Sequence, residues 1–282
     1  VVTEITEEIL FEQDIATDTL TFSSNFEKLF NRPRSIEHYL RDKHFLEIVH
    51  PDDLHLLPST KSTEFSEDDF MRFDARLLTS ENTYQWFTIC FKVLRDNAGK
   101  PTNVIGRLSN INDKKLEEDR LRREAQTDML TGLYNKMTFK QLAEDMLSEG
   151  THALIIVDID DFKNVNDTYG HLFGDEVILT VASVVRDGFR SSDITGRIGG
   201  DEFAVFARDA LDENVIRNRC RQITARLADI DYPNGYRISV SMGISFYPRH
   251  GKDYPTLFSH ADAALYHLKK HRGKGGYAVY GE

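Results

Sequence analysis

Cysteine is scarce: the 282 residues contain two. Cys90 and Cys220 stand far apart, and neither belongs to a metal-ligand spacing. A disulfide framework and a cysteine-held metal are therefore not expected. Both sit in apolar-patterned stretches and read as buried, inert thiols, which suits a reducing cytoplasm. Long apolar runs are missing as well. No stretch approaches the roughly 18 residues that a membrane-spanning helix needs. The opening Val1-Val2-Thr3-Glu4 is neither a signal peptide nor an initiating Met. It reads as part of a longer protein, in which a membrane anchor could lie outside this chain. The expected setting is the cytoplasm, or the cytoplasmic part of an anchored protein. Basic charge is in deficit: Lys and Arg number 35, Asp and Glu 46, a net of −11. That speaks against nucleic acid as a partner. It leaves a nucleotide site open, because a metal can neutralise phosphates locally.

What is present fits a folded protein of about two domains, with 40% hydrophobic and 29% charged residues. The acid excess is uneven. Residues 1–113 hold twelve basic and twenty acidic side chains, a net of −8, which leaves −3 for 114–282. Between the halves runs a charged segment without Gly or Pro, Asn112 to Ala125, that reads as a helix. Its apolar positions, Leu116, Leu121, Ala125 and Met129, give a weak seam. A solvated helix and a parallel dimer seam both remain open.

The first segment reads as α/β with a meander. Thr19 to Ser23 looks like a strand, Ser24 to Phe30 a short capped helix, and Phe45 to Asp53 a short helix closed by a Pro-Asp turn. Three β-patterned stretches follow, Met71 to Leu78, Tyr84 to Leu94 and Thr102 to Asn112. This order resembles a PAS sensor domain. The likeness rests on Phe11 to Ile15 with Thr17 to Leu20, His50-Pro51-Asp52-Asp53, Tyr84-Gln85-Trp86-Phe87, Arg95 to Pro101, and the exit at Ser109 to Lys115. PAS domains often bind a ligand, but nothing here names one. His38, His44, His50 and His55 read as surface or turn histidines rather than haem ligands. No cysteine stands where a flavin light sensor needs one, and Trp86 reads as core.

The second half carries chemistry. Ala153 to Asp160 is an apolar run ending in acids, as a buried central strand would be. Asp175 to Arg186 reads as an amphipathic helix, and Tyr236 to Tyr247 as a strand. Two strands, Asp193 to Ile198 and Glu202 to Ala207, flank Gly199-Gly200 in a hairpin that projects Asp201 and Glu202. Bare carboxylates repel a triphosphate, so acids beside phosphate chemistry imply divalent cations. Two such ions can clamp an in-line displacement, and glycines let a nucleotide approach the backbone. Spacing alone does not separate this from two unrelated acidic turns.

Arg197-Ile198-Gly199-Gly200-Asp201-Glu202-Phe203 resembles the signature of the GGDEF family of diguanylate cyclases. Asp128 to Asn135, Asp158 to Lys163, Asn166 to His171, Gly174-Asp175, Ser241 to Ser245 and Ala261 to Tyr266 match the family in order. The resemblance implies a palm-like α/β (α+β) domain that condenses two GTP into cyclic di-GMP, releasing two pyrophosphates, as a homodimer. It implies two Mg2+ or Mn2+ ions per site, held by Asp158, Asp201 and the Ile159 carbonyl. Glu202 would assist metal binding or deprotonation. Asn166 and Asp175 would read guanine, while Phe162, Lys163, Gly199 and Gly200 would line the GTP site. Asp160 and Asp128 are left as structural acids. The family's closing basic motif is one residue longer here, Lys269-Lys270-His271-Arg272-Gly273-Lys274, so either Lys269 or Lys270 fits the phosphate position, with Lys274 as the second cation. Arg190-Ser191-Ser192-Asp193 stands at the family's inhibitory spacing, with Arg221 as a further candidate for the product site. The expected plan is a sensor over 1–111, a linker helix over 112–126 and a cyclase domain over 127–282. A domain that binds GTP or cyclic di-GMP without chemistry is the alternative.

Overall fold

The computed structural model describes residues 8–39, 43–57, 70–147 and 150–282. The opening tetrapeptide and the side chain of His44 lie outside the described set. The chain divides into two compact units, 1–120 and 121–282. Among the described residues, no helix is long and apolar enough to cross a membrane.

The first unit is one antiparallel sheet with short helices against it. Its elements are β1 (Ile9–Asp14), β2 (Thr19–Phe22), α1 (Asn25–Phe30), β3 (Ser35–Glu37), β4 (Phe70–Leu78), β5 (Tyr84–Arg95) and β6 (Pro101–Asn110). The strand order is β3-β2-β1-β6-β5-β4. Alternation sends Ile9, Leu20, Phe22, Phe87, Ile89 and Leu108 into the core. There Phe22 stacks on Phe26 of α1 at 3.9 Å. The cap expected at Ser24 is not made. Instead Asn25 ties the helix start to Ser23 Oγ and to the Glu8 carbonyl. The segment expected as one helix before the Pro-Asp turn is two 3-10 stretches, Lys43–Ile48 and Pro51–Leu56. Proline at the start of the second, with no amide to donate, interrupts the first.

Trp86 is not core. Period-two alternation turns Phe87 inward and leaves Trp86 half-buried. The Arg76 guanidinium and the Lys115 ammonium lie 5.3 and 5.5 Å from its ring centre. Lys115 belongs to the first turn of α2 (Asn112–Gln126) and also pairs with Asp74 of β4 at 3.2 Å. The helix buries none of its residues, and Leu116 and Leu121 are exposed.

The second unit contains β7 (Tyr134–Asn135), α3 (Lys136–Met146), β8 (His152–Ile159), α4 (Phe162–Tyr169), α5 (His171–Asp187), β9 (Ile194–Arg197), β10 (Glu202–Ala207), α6 (Glu213–Ala228), β11 (Val240–Tyr247), α7 (Tyr254–His267) and β12 (Gly276–Val279). The sheet order is β12-β11-β8-β10-β9-β7. The apolar run of β8 is buried on both faces. Ile155 and Val157 pack with α5 and α6, while Leu154 and Ile156 pack with α3 and α7. Asp158 continues the second series and opens the polar end of the strand.

Two element boundaries differ from expectation. Helix α5 begins at His171 rather than Asp175, because Gly170, at φ +85°, ends α4 and starts α5 at once. The strand expected from Tyr236 begins at Val240. Before it the Arg237 side chain reaches the Ala228 carbonyl and Asp231, while the Ser239 carbonyl still accepts from the Asp160 amide just beyond β8.

Candidate active site

Strand register assembles the acids. Asp158 of β8 lies directly opposite Glu202 of β10 and Ser241 of β11. The Ile159 amide donates to the Asp201 carbonyl at 3.2 Å, which pins the hairpin turn to the end of β8. Burial, with repulsion from Asp201 and Asp160, pushes the Asp158 carboxyl above its ordinary range despite the Lys269 ammonium beside it. Glu202 is pushed the same way by burial and then by Asp158, Asp201 and Asp262, with Lys136 opposing. Carboxylates crowded without enough counter-charge are the setting in which a cation binds favourably.

The extra residue in the basic motif is absorbed by geometry. Leu268–Arg272 form a π-helical turn after α7. Such a turn accommodates one more residue than an α-turn and recurs at functional sites. It brings Lys269 onto Asp158. Lys270 points away, with its ammonium 5.5 Å from the Tyr266 ring centre. Lys274 pairs with Asp161, which stands just before α4 and makes no side-chain cap to it.

The Gly-Gly hairpin is braced from behind. Arg197 donates from Nε and Nη2 to the Gly200 carbonyl at 3.2 and 2.7 Å, and from Nη1 to Asp128 at 3.1 Å. Asp128 also accepts from the amide and hydroxyl of Thr131. Sequence reasoning missed Arg197 as a working part of the turn, because its partner lies 69 residues earlier. Gly200 has no positive φ, and a Cβ there would meet no protein atom within 4 Å. Nothing inside the fold requires glycine at that point, and the space it leaves faces outward.

The expected phosphate loop is helical: Phe162 and Lys163 form the first turn of α4. Its amides point out of the helix start, as in other anion sites. Asn166 and Asp175 stand on neighbouring helices α4 and α5. Gly174 makes their approach possible, since a Cβ there would collide with Asn166 Oδ1. Asp175 is exposed and lies beyond the first turn of α5, so it is not a helix-start acid.

Around the expected inhibitory site, Asp193 is closely engaged. Its side chain is 2% exposed and accepts from the amides of Arg190 and Arg208 at 2.9 and 3.0 Å. Arg219 of α6 reaches it at 3.4 Å and lies over the Phe189 ring at 5.5 Å. Arg221 is directed elsewhere, toward Asn218 and the Tyr277 ring. In the first unit, an open groove of about 610 Å3 is lined by Leu10, Phe70, Cys90, Lys92, Ile105 and Arg107 among others, and by no described histidine. His50 instead caps the turn at Asp52, and His55 bonds the Asp52 carbonyl.

Comparison with known proteins bears on the same residues. A family model described as "Diguanylate cyclase, GGDEF domain" matches residues 125–275, and one described as "PAS fold" matches 19–108. The chain is 32% identical over 178 residues to cyclic di-GMP phosphodiesterase PdeR of Escherichia coli K12, covering 61% of this chain and 26% of that protein. It is 35% identical over 162 residues to diguanylate cyclase TpbB of Pseudomonas aeruginosa, covering 55% and 37%. It therefore spans well under half the length of these relatives. The crystal structure of the coiled coil and GGDEF domain of DgcB from Caulobacter crescentus in complex with c-di-GMP superposes with a TM-score of 0.55. Identity there is 28%, covering 60% of this chain and 93% of that one. The match over 125–275 takes in every element that carries the acids and lysines described above, and the chain belongs to the GGDEF diguanylate cyclase family, with a PAS fold ahead of that domain.

Proposed function

We propose that this chain is a diguanylate cyclase that condenses two GTP into cyclic di-GMP and two pyrophosphates, under control of its PAS unit and of its own product. The observation that carries this reading is the meeting of Asp158, Asp201 and Glu202 at adjoining strand ends, with Lys269 against Asp158.

The residues fit a hard divalent cation. All the donors are oxygens, and two of the carboxyls are held high by burial and mutual repulsion, which a dication would relieve. Asp158 and Asp201, with the Ile159 carbonyl, would hold Mg2+ or Mn2+. Among the described residues, no three His, Cys, Asp or Glu side chains gather closely enough to enclose an ion by themselves. Magnesium takes one or two carboxylates and completes its shell with substrate phosphate oxygens and water. Bound there, the metal would neutralise phosphate charge and ease ionisation of the 3′-hydroxyl. The protein's own groups do the rest. Lys269 and Lys274 counter the β- and γ-phosphates as pyrophosphate leaves. The first-turn amides of α4 hold anionic oxygens. Asn166 and Asp175 read the guanine edge, Asp175 accepting from the ring N–H and amino group, a pattern adenine lacks. The Gly200 turn gives the nucleotide close access, and Arg197 keeps it in place. Two chains bring two GTP molecules face to face, so a homodimer is the active form.

Feedback inhibition rests on Arg190, with Arg219 rather than Arg221 as the second arginine. Asp193 serves by shaping the turn through two backbone amides. Arg190→Ala is expected to raise the cyclic di-GMP concentration that halves turnover by roughly tenfold or more, the loss of one charge-assisted contact. An unchanged inhibition curve would remove this site.

The decisive assay is chromatography of products after the purified chain meets GTP and Mg2+. Cyclic di-GMP and pyrophosphate are expected in a ratio of about one to two, by the stoichiometry of two displacements. Nucleotide binding without product would turn the reading toward a non-catalytic binding domain.

A further inference from the structure

Asp160 has no part in the chemistry above, yet both of its carboxylate oxygens are engaged. Its side chain is 2% exposed. Oδ2 accepts from Ser239 Oγ at 2.5 Å and from the Gly275 amide at 3.0 Å. Oδ1 accepts from Ser241 Oγ at 2.7 Å, and Lys269 Nζ lies 4.0 Å from it. The Asp160 amide donates to the Ser239 carbonyl at 2.9 Å. One carboxylate thus gathers the end of β8, the approach to β11 and the loop between the π-turn and β12. Gly275 sits at φ +80°, with its Cβ direction 3.2 Å from Ser239 Oγ, so the loop closes on the carboxylate in a conformation that favours glycine.

That loop carries Lys274, and the turn before it carries Lys269. The two ammonium groups pair with Asp161, just before α4, and with Asp158 at the end of β8. The segment reads Asp158-Ile159-Asp160-Asp161, so Asp160 lies between the two acids that the lysines contact. A buried charge beside these acids raises the Asp158 carboxyl and opposes local stability. A neutral acceptor would fill the same space at less electrostatic cost. What the charge adds is a strong hold on the Gly275 amide, and through it on the lysine-bearing loop.

We propose that Asp160 is a positioning residue that sets the two lysines at the right distance from the β8 acids, and so governs affinity for the β- and γ-phosphates of GTP. The inference rests on the GTP-site reading above.

The test is calorimetric titration of the full chain with GTP and with GMP in Mg2+, for the wild type, Asp160→Asn and the milder Ser239→Ala. Asp160→Asn is expected to weaken GTP about tenfold, the loss of one charge-assisted contact, and to leave GMP within about twofold. KM for GTP should rise in parallel, with kcat falling less. Ser239→Ala should move GTP affinity in the same direction by a smaller factor, and it decides the matter if Asp160→Asn does not fold. Equal weakening of both nucleotides, or a lowered melting temperature with GTP affinity unchanged, would overturn the proposal. So would a wild type that binds GTP no more tightly than GMP. Tight GTP binding without cyclic di-GMP formation would count against the cyclase reading alone, since the binding comparison still decides the role of Asp160.

Discussion

Asp53 in the first unit lies beside a six-stranded sheet and Asp158 in the second stands within one, and their surroundings push them in opposite directions. Asp53 accepts three hydrogen bonds from Arg76, through the amide, Nε and Nη2, at 2.7 to 2.9 Å. The bonded guanidinium pulls its carboxyl down to about 2. Asp158 has one ammonium and three acidic neighbours, Asp160, Asp201 and Glu202, and burial raises it. The first arrangement is complete within the protein. The second has carboxylate oxygens to spare for something else. That difference, more than burial or sequence position, separates a structural carboxylate from one available for chemistry.

The largest expected effect tests the second arrangement. Asp201→Ala and Glu202→Ala should each lower cyclic di-GMP formation by about a thousandfold or more while melting temperature stays near that of the wild type. Retained turnover in both would break the contrast. The next tests the first arrangement. Asp53→Asn should lower the melting temperature of the first unit by several degrees, because Arg76 loses its charged partner. The sign of the pH effect follows from the depressed carboxyl. Its contribution is present above the ordinary value of 3.8 and is lost as pH falls toward about 2. Unfolding curves between roughly pH 5 and 2 should therefore show an acid limb in the wild type that is reduced in Asp53→Asn. A smaller effect sharpens the comparison: Glu202→Gln removes repulsion, so it should raise melting temperature by about a degree or two while turnover is lost. The smallest concerns Lys115. Trp86 is the single tryptophan, so its emission reports the Lys115 contact directly. Lys115→Ala should shift that emission and cost about 0.5–1 kcal/mol. An unmoved spectrum would mean that the first turn of α2 is not held by the ring.

Much of this is legible in the sequence. The apolar run ending at Asp158 reads as a buried strand, and Gly199-Gly200 between alternating runs reads as a hairpin. Their register then follows from pairing. Other features are hidden for identifiable reasons. Glycine at position 170 ends one helix and begins another, and no periodicity signal distinguishes that from a loop before Asp175. Arg219 and Arg221 are two residues apart on a helix, roughly 200° around its axis, so they face different ways, and spacing alone does not say that Arg219 is the one that reaches Asp193. The choice between Lys269 and Lys270 depends on a π-turn, which sequence spacing does not announce. Trp86 reads as core because a large aromatic usually is, while the strand's alternation turns it outward.

By itself, then, the sequence determined the two-part plan, the central strand, the hairpin and the identities of the acids, because each is written in local patterns of two or three or four residues. Tertiary structure alone decided which acids are satisfied and which are crowded, which lysine meets Asp158, and what gathers around Asp160. Those answers depend on partners brought from 23 to 115 residues away, and only the folded chain supplies them.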